Sequence, residues 1–295
     1  MRLASIEHNG KENAAIRVDD GYVLLEIINR EFEADWQTDV LSLLHSGRLS
    51  ALGEWFREYG EHQIISRGLE IVSGKQVPFL PLYRNPGKIW GIGLNYVAHA
   101  ADLSATAPTG IPGSFMKPAT TIIGFGDSIR IPKHSRQTTA EAELGVVIGK
   151  RCKNISRKNW LEAVAGFTTI IDMTAVDILQ QNTRYLTLSK SFDTFFSFGP
   201  ELVTPDEIDD VMALPVATWI NGGRHAENIV SNMTFPPDFL VAFHSEVMTL
   251  EPGDVISTGT PGGVEIHQGD LMECRIRGFL PLVNPVEDEK QGEHP

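Results

Sequence analysis

Apolar and polar positions alternate in two short runs near the start of the chain, Ala15-Ile16-Arg17-Val18 and residues 22–27, on either side of Asp19-Asp20-Gly21. That pattern predicts a β-hairpin. Helical spacing follows: Val40, Leu41 and Leu44 before Gly47 predict one short helix, and Leu52, Phe56 and Tyr59 before Gly60 a second. In residues 77–87, Pro78, Pro81 and Pro86 deny the backbone both helical and central-strand hydrogen bonds, so this stretch reads as an extended connector. A boundary there separates a small N-terminal α+β domain, 1–80, from a larger domain, 86–287.

Past the connector, apolar runs with strand character dominate, at 88–93, 121–123, 144–148, 167–171, 216–220, 254–257 and 272–276. Helices are fewer. One is predicted after Thr204, where Thr204 and Glu207 fit a capping box and Pro205 takes the first helical position; others are predicted over 157–164 and 237–247. The fold class is therefore α+β and rich in strands. The polar tail after Val286 is expected to be disordered.

Chemistry enters at Glu141-Ala142-Glu143, which precedes the apolar run Leu144-Gly145-Val146-Val147-Ile148. Residues i and i+2 of a strand share a face, so both carboxylates project the same way. Alone, such a pair is usually a solvated strand face. Asp172 changes that reading, because it ends a second apolar run, 165–171, where a carboxylate is an odd neighbour for a core. Three carboxylates converging at strand ends make an all-oxygen set that suits Mg²⁺, Mn²⁺ or Ca²⁺ better than zinc.

Composition narrows the partners. The formal charge of -13 is spread along the chain and repels a phosphate backbone or an anionic membrane surface, which argues against nucleic acid and membranes. Cys152 and Cys274 have neither zinc-knuckle nor redox-pair spacing. With no secretory apolar run at the start and no stretch approaching the ~20 apolar residues of a membrane span, a reducing cytoplasm is the expected compartment.

The order of motifs is more specific than any one of them. Gly93-Leu94-Asn95-Tyr96 with His99 comes first, then Phe115-Met116-Lys117-Pro118, Glu141-x-Glu143-Leu144, Asp172, and Lys190-Ser191-Phe192-Asp193-Thr194-Phe195. Gly199-Pro200 and the stretch from Leu250 to Pro261, LEPGDVISTGTP, complete it. Throughout residues 88–286 the chain resembles the fumarylacetoacetate hydrolase family, in its bacterial two-domain form. The resemblance implies a mixed β-roll or barrel-like catalytic domain, a homodimer, and small 2-keto or 2,4-dioxo acids as substrates. It implies Glu141, Glu143 and Asp172 as metal ligands and Lys190 as the charge near a developing oxyanion. It also places a lid histidine at His99, with Asp102 where relatives carry a glutamate; the pair shares a helical face at i and i+3.

Tyr96, Lys117 and Thr260 are candidate substrate-binding residues. The arginine and glutamine that many members carry after the metal aspartate are replaced by Val176 and Leu179, which removes a charged clamp, and Arg184 is the candidate to take over. The reaction expected first is metal-dependent hydrolysis of a carbon-carbon bond in an acylpyruvate-like 2,4-dioxo acid. There the metal chelates the 2-keto acid head group, His99 with Asp102 activates water, and a pyruvate enolate leaves on the metal. Residues 99–112 form the expected lid. Decarboxylation of an oxaloacetate-like acid, or isomerisation of a hydroxydienoate, uses the same site without an attacking water. A binding or scaffold protein that has lost its chemistry is the reading from another class, supported by Val176 and Leu179 and opposed by the retained carboxylates.

Overall fold

The computed structural model of the chain describes residues 1–73, 77–98 and 108–290. An antiparallel meander opens it: β1 (Arg2–His8), β2 (Lys11–Val18) and β3 (Gly21–Leu24), edged by β4 (Val72–Ser73). After the connector come β5 (Ile89–Gly93), β6 (Gly113–Lys117), β7 (Ile122–Ile123) and β8 (Ile129–Ile131). The long strands β9 (Thr138–Ile148), β10 (Val164–Ala175) and β11 (Phe196–Val203) follow. The remainder are β12 (Pro215–Ile220), β13 (Gly223–Ile229), β14 (Val255–Ser257), β15 (Gly263–Glu265), β16 (Leu271–Ile276) and β17 (Leu282–Asp288).

Two sheets result, as the strand-rich α+β class requires. The larger runs β4-β3-β2-β1-β11-β10-β9-β14-β5-β6, with β7 beside β11 and β15 beside β9; the smaller runs β13-β12-β16-β17-β8. The N-terminal meander continues the large sheet, because β1 pairs with β11 through Arg2 opposite Val203 and Ala4 opposite Glu201.

Strands β9 and β10 are buried on both faces, which is why they read as continuous apolar runs rather than alternating ones. One face carries Ala142, Leu144, Val146, Ile171 and Met173 against Val216, Met272 and Leu282 of the second sheet. The opposite face carries Val147, Ala165 and Ile170, which pack with Leu3, Ile16 and Leu25 of the N-terminal residues. Each fully buried Leu, Ile or Val there contributes about 1.5–3 kcal/mol. That second face is covered by apolar contacts at one end of the strands and holds Glu141, Glu143 and Asp172 at the other.

Local readings of the sequence hold in several places. Helices occupy Val40–His45 and Pro237–Val247, Leu52, Phe56 and Tyr59 sit on the helical run of 49–67, and Asp19-Asp20 turns the hairpin. Three differ. The strand expected over 22–27 ends at Leu24, and Leu25–Phe32 is a helix whose Leu25, Ile27 and Ile28 are buried at helical spacing. The helix expected after Thr204 is a single 3₁₀ turn, Pro205–Glu207, because Thr204 and Glu207 are committed elsewhere: each lies 2.8 Å from the Met1 ammonium nitrogen. Residues 157–163 form a 3₁₀ segment rather than an α-helix. The tail is strand through Asp288, and the expected disorder beyond residue 290 lies outside the described residues. Among the described residues, no helix is long and apolar enough to cross a membrane.

Candidate metal centre and active site

The antiparallel register of β9 and β10 builds the centre. Glu141 and Glu143 share a face of β9, Asp172 lies across from Glu141, and Ile170 lies across from Glu143. The strand continues past Asp172 to Ala175, so the aspartate sits inside it rather than at its end, and it is fully buried. Ligand oxygens of the three carboxylates lie within 4.8 Å of one another. Oxygen-only donors at this spacing fit a hard divalent cation.

Two ammonium groups share the site. Lys190 Nζ lies 2.5 Å from Asp172 Oδ2 and 3.0 Å from Glu141 Oε2. Lys117 donates to Asp172 Oδ1 and, at 3.3 Å, to the Met173 carbonyl. Both lysines are buried, Lys117 completely at its side chain. Two ammonium groups balance Asp172 and Glu141, so ionising Glu143 as a third ligand adds a negative charge that a bound cation would satisfy.

The protonation equilibria reflect this crowding. Burial alone would raise the Asp172 carboxyl, but the adjacent charges of Lys117 and Lys190 outweigh it and hold the group below its usual range. Burial, reinforced by the Asp172 charge, pushes Glu143 up to about 8. Burial also brings Lys117 down to about 8, against the pull of Asp172. For Lys190 the burial penalty is overcome by Asp172, Glu141 and Glu143 together, and the ammonium is held well above its ordinary value.

Glu143 is oriented from behind. Ser257 Oγ at 2.5 Å and Gly259 N–H at 2.7 Å both donate to Oε2, and Oε1 receives no hydrogen bond among the described residues. One oxygen is thereby fixed and the other left to face a ligand. Gly259 has φ +97°, and a Cβ there would meet Asn95 Cβ at 2.7 Å, so the close approach of these two segments requires glycine. The Asn95 amide donates to the Thr258 carbonyl at 2.7 Å and the Phe235 carbonyl at 2.9 Å, and its Oδ1 accepts from Phe235 N–H at 2.8 Å. Leu94, just before it, and Thr194, four residues after Lys190, have φ of 55° and 68°. Left-handed backbone at non-glycine residues is held only where the surroundings demand it.

Of the residues singled out from sequence, Glu141, Glu143, Asp172, Lys117 and Lys190 come together directly. Tyr96 is buried, its hydroxyl has no hydrogen-bond partner among the described residues, and burial with the Glu143 charge raises its pKa. Thr260 is buried beside Gly259, its hydroxyl accepting from Gly262 N–H at 3.2 Å. Arg184 lies exposed on a 3₁₀ turn, and its guanidinium makes no ion pair among the described residues. Val176 and Leu179 are half-buried on the helix Val176–Gln181 that leaves β10. His99 and Asp102, with most of the expected lid, lie outside the described residues. Sequence reasoning missed Ser257, Asn95 and the Gly259 N–H as supports of the centre. All three stand in motifs visible in the sequence, but their partners are more than a hundred residues away, beyond the reach of periodicity.

Residues 88–287 match the family model for fumarylacetoacetate hydrolase, C-terminal. The oxaloacetate tautomerase fahd2 of Xenopus laevis is 36% identical over 246 residues, which is 78% of this chain and 77% of that protein. A maleylpyruvate hydrolase from Sphingobium, solved with manganese(II) and pyruvate, superposes with a TM-score of 0.78 at 26% identity, over 98% of this chain and 99% of that one. A fumarylacetoacetate hydrolase from Exiguobacterium antarcticum gives a TM-score of 0.81 at 26% identity, over 98% and 100%. This chain belongs to the fumarylacetoacetate hydrolase family and is an enzyme of it.

Proposed function

We propose that this enzyme carries a small 2-keto acid to and from its enol, with Mg²⁺ or Mn²⁺ held by Glu141, Glu143 and Asp172. One observation carries the reading: three carboxylates and two buried ammonium groups converge on one face of one sheet. A cation bound there supplies Lewis acidity toward the 2-keto acid head group and its enolate. Lys190 adds a fixed positive charge beside the substrate oxygen that gains negative charge, where little water screens it. Lys117, expected from sequence to bind substrate, is assigned instead to Asp172, to which it donates with a fully buried side chain, keeping that carboxylate ionised. Proton transfer at C3 needs these groups and a proton carrier, a role assigned to His99 oriented by Asp102. The likeness to oxaloacetate tautomerases makes an oxaloacetate-like diacid the first substrate to try.

A second reading is supported by the likeness to a maleylpyruvate hydrolase. In an acylpyruvate-like 2,4-dioxo acid, water deprotonated by His99 adds to the distal carbonyl and Lys190 supports the tetrahedral oxyanion. The carbon-carbon bond then breaks to a carboxylic acid and the enol of pyruvate, which takes a proton at C3. In both readings Thr260 and Tyr96 contact the substrate, Val176 and Leu179 set an apolar wall with Arg184 as the nearest replacement cation in sequence, and the enzyme works as a cytoplasmic homodimer. Residues 1–80 and 86–287 are proposed as its two domains.

Cation-stripped protein, with and without Mg²⁺ or Mn²⁺, separates the readings. Deuterium uptake at C3 of oxaloacetate in D₂O, followed by NMR, reports enolisation, and disappearance of acetylpyruvate or fumarylpyruvate reports cleavage. Cation-dependent exchange without cleavage is the expected result. Cation-dependent cleavage, abolished by His99→Ala, would establish the second reading, and no cation-dependent change in any of the acids would overturn both.

A further inference from the structure

Phe115 and Gly91 are cross-strand partners on β6 and β5. A Cβ at position 91 would stand 2.2 Å from Phe115 Cζ and 2.4 Å from Cε2, so the ring lies directly over the glycine backbone. Aromatic rings cover cross-strand glycines in this way to bury backbone that lacks a side chain of its own. Here the covering ring has a second neighbour. Lys190 Nζ sits 4.6 Å from the Phe115 ring centroid, within the range in which an ammonium is drawn to an aromatic face. Lys117 lies 6.0 Å from the Phe195 ring, at the outer edge of that range, so the two lysines are not held alike.

We propose that Phe115, seated on Gly91, is a positioning residue that holds the Lys190 ammonium over the carboxylate centre. The inference rests on the proposed function for what Lys190 does there. Lys190 has two kinds of neighbour, the Asp172 and Glu141 carboxylates at 2.5 and 3.0 Å and the Phe115 ring at 4.6 Å. The carboxylates are also the groups that hold the cation, so their attraction for Lys190 weakens whenever their charge is shared. The ring's attraction is not shared, because its quadrupole has no part in binding the cation. Phe115 and Lys190 are both buried, and a charge field in a water-poor site is less screened. Leucine in its place would fill much of the same space but offer no π face. Alanine at position 91 would displace the ring itself.

The test uses full-length protein carrying lysine labelled with ¹³C at Cε, the Lys190 signal being assigned as the one missing from Lys190→Arg. A ring face over the ammonium shifts the neighbouring Hε protons upfield. Phe115→Leu should remove that shift and lower kcat by about thirtyfold, the size of one desolvated cation–π contact, while KM changes by less than about threefold. Phe115→Tyr, which keeps the π face, should retain both the shift and kcat, and Gly91→Ala should behave like Phe115→Leu. An unshifted Lys190 signal in the wild type, or equal losses of kcat in Phe115→Leu and Phe115→Tyr, overturns the inference. If instead the Lys190 shift behaves as expected but the wild type turns over no 2-keto acid, the ring contact stands and the proposed function falls.

Discussion

Asp172 stands directly across from Glu141 in the antiparallel register of β9 and β10, one carboxylate facing another on the same side of the sheet. Like charges at directly opposite sheet positions destabilise a strand pair. The structure offsets the repulsion with Lys190, which touches both, and with Lys117, which reaches only Asp172. With Glu143 ionised as a third ligand the lysines fall one charge short, and a divalent cation at the centre is expected to make up the difference and stabilise this strand pairing.

Thermal unfolding should therefore depend on the cation. At a free concentration of about 100 times Kd, binding to the folded state alone adds about 2.7 kcal/mol. For a chain of this size that raises Tm by on the order of 5 °C. Differential scanning calorimetry with chelator and with Mn²⁺ checks it, and Asp172→Asn should abolish the difference. A Tm indifferent to Mn²⁺ in the wild type would sink the metal assignment.

Ser257→Ala tests the support behind Glu143. The hydroxyl donates at 2.5 Å to Oε2, and its loss leaves Gly259 N–H as the donor that remains there. Residues that orient a metal ligand are typically worth about 10–100-fold in metal affinity. Isothermal titration of the variant with Mn²⁺ should show a loss in that range, with stability of the cation-free protein changed by about 1 kcal/mol. An unchanged Kd would mean that Gly259 alone fixes the carboxylate.

The site was legible where the chemistry lies along a strand and illegible where it depends on register. Glu141 and Glu143 share a face by alternation alone, and Asp172 stood out as a charge in an apolar run. That Asp172 faces Glu141 is a fact of strand pairing, which periodicity does not contain. Strands β6, β13 and β17 escaped notice because their residues alternate weakly, and β11 because its glycine and proline interrupt an otherwise apolar run. The capping box at Thr204 illustrates a local signal overridden by a distant partner, the Met1 ammonium about two hundred positions away. Phe115 stood in the Phe115-Met116-Lys117-Pro118 motif, but nothing in the sequence placed its ring beside Lys190, which is a fact of strand pairing and packing.

Asn95→Ala should be more damaging than its single residue suggests. Its side chain satisfies the carbonyls of Thr258 and Phe235 and the N–H of Phe235, all buried. Each group left unpaired costs about 1–3 kcal/mol, so a loss of about 3 kcal/mol is expected by urea unfolding. Because Thr258 precedes Gly259, which donates to Glu143, the same substitution should weaken Mn²⁺ binding. A destabilised protein with unaltered metal affinity would separate the two roles and leave Asn95 purely structural.

His244 gives the chain a pH dependence away from the metal centre. It is buried on the helix Pro237–Val247, its Nδ1 lies 2.8 Å from the Leu240 carbonyl, and its ring packs edge-on against Trp90. Since Nδ1 must donate to that carbonyl, Nε2 is the unprotonated nitrogen, and it has no partner among the described residues. Burial lowers the folded-state pKa below the ordinary 6.5, and the Leu240 contact only partly opposes it. The unfolded chain therefore binds a proton that the folded chain does not, in the window from about 6.5 down to the lowered value. Stability from this group is complete above about pH 6.5 and is lost as pH falls through the window, by up to about 1.4 kcal/mol per pH unit. His244→Phe removes the titration while keeping a ring against Trp90. Urea unfolding at pH 7.5 and 5.5 should show a larger stability loss for the wild type than for the variant, and equal losses would show that the buried imidazole takes up its proton without unfolding.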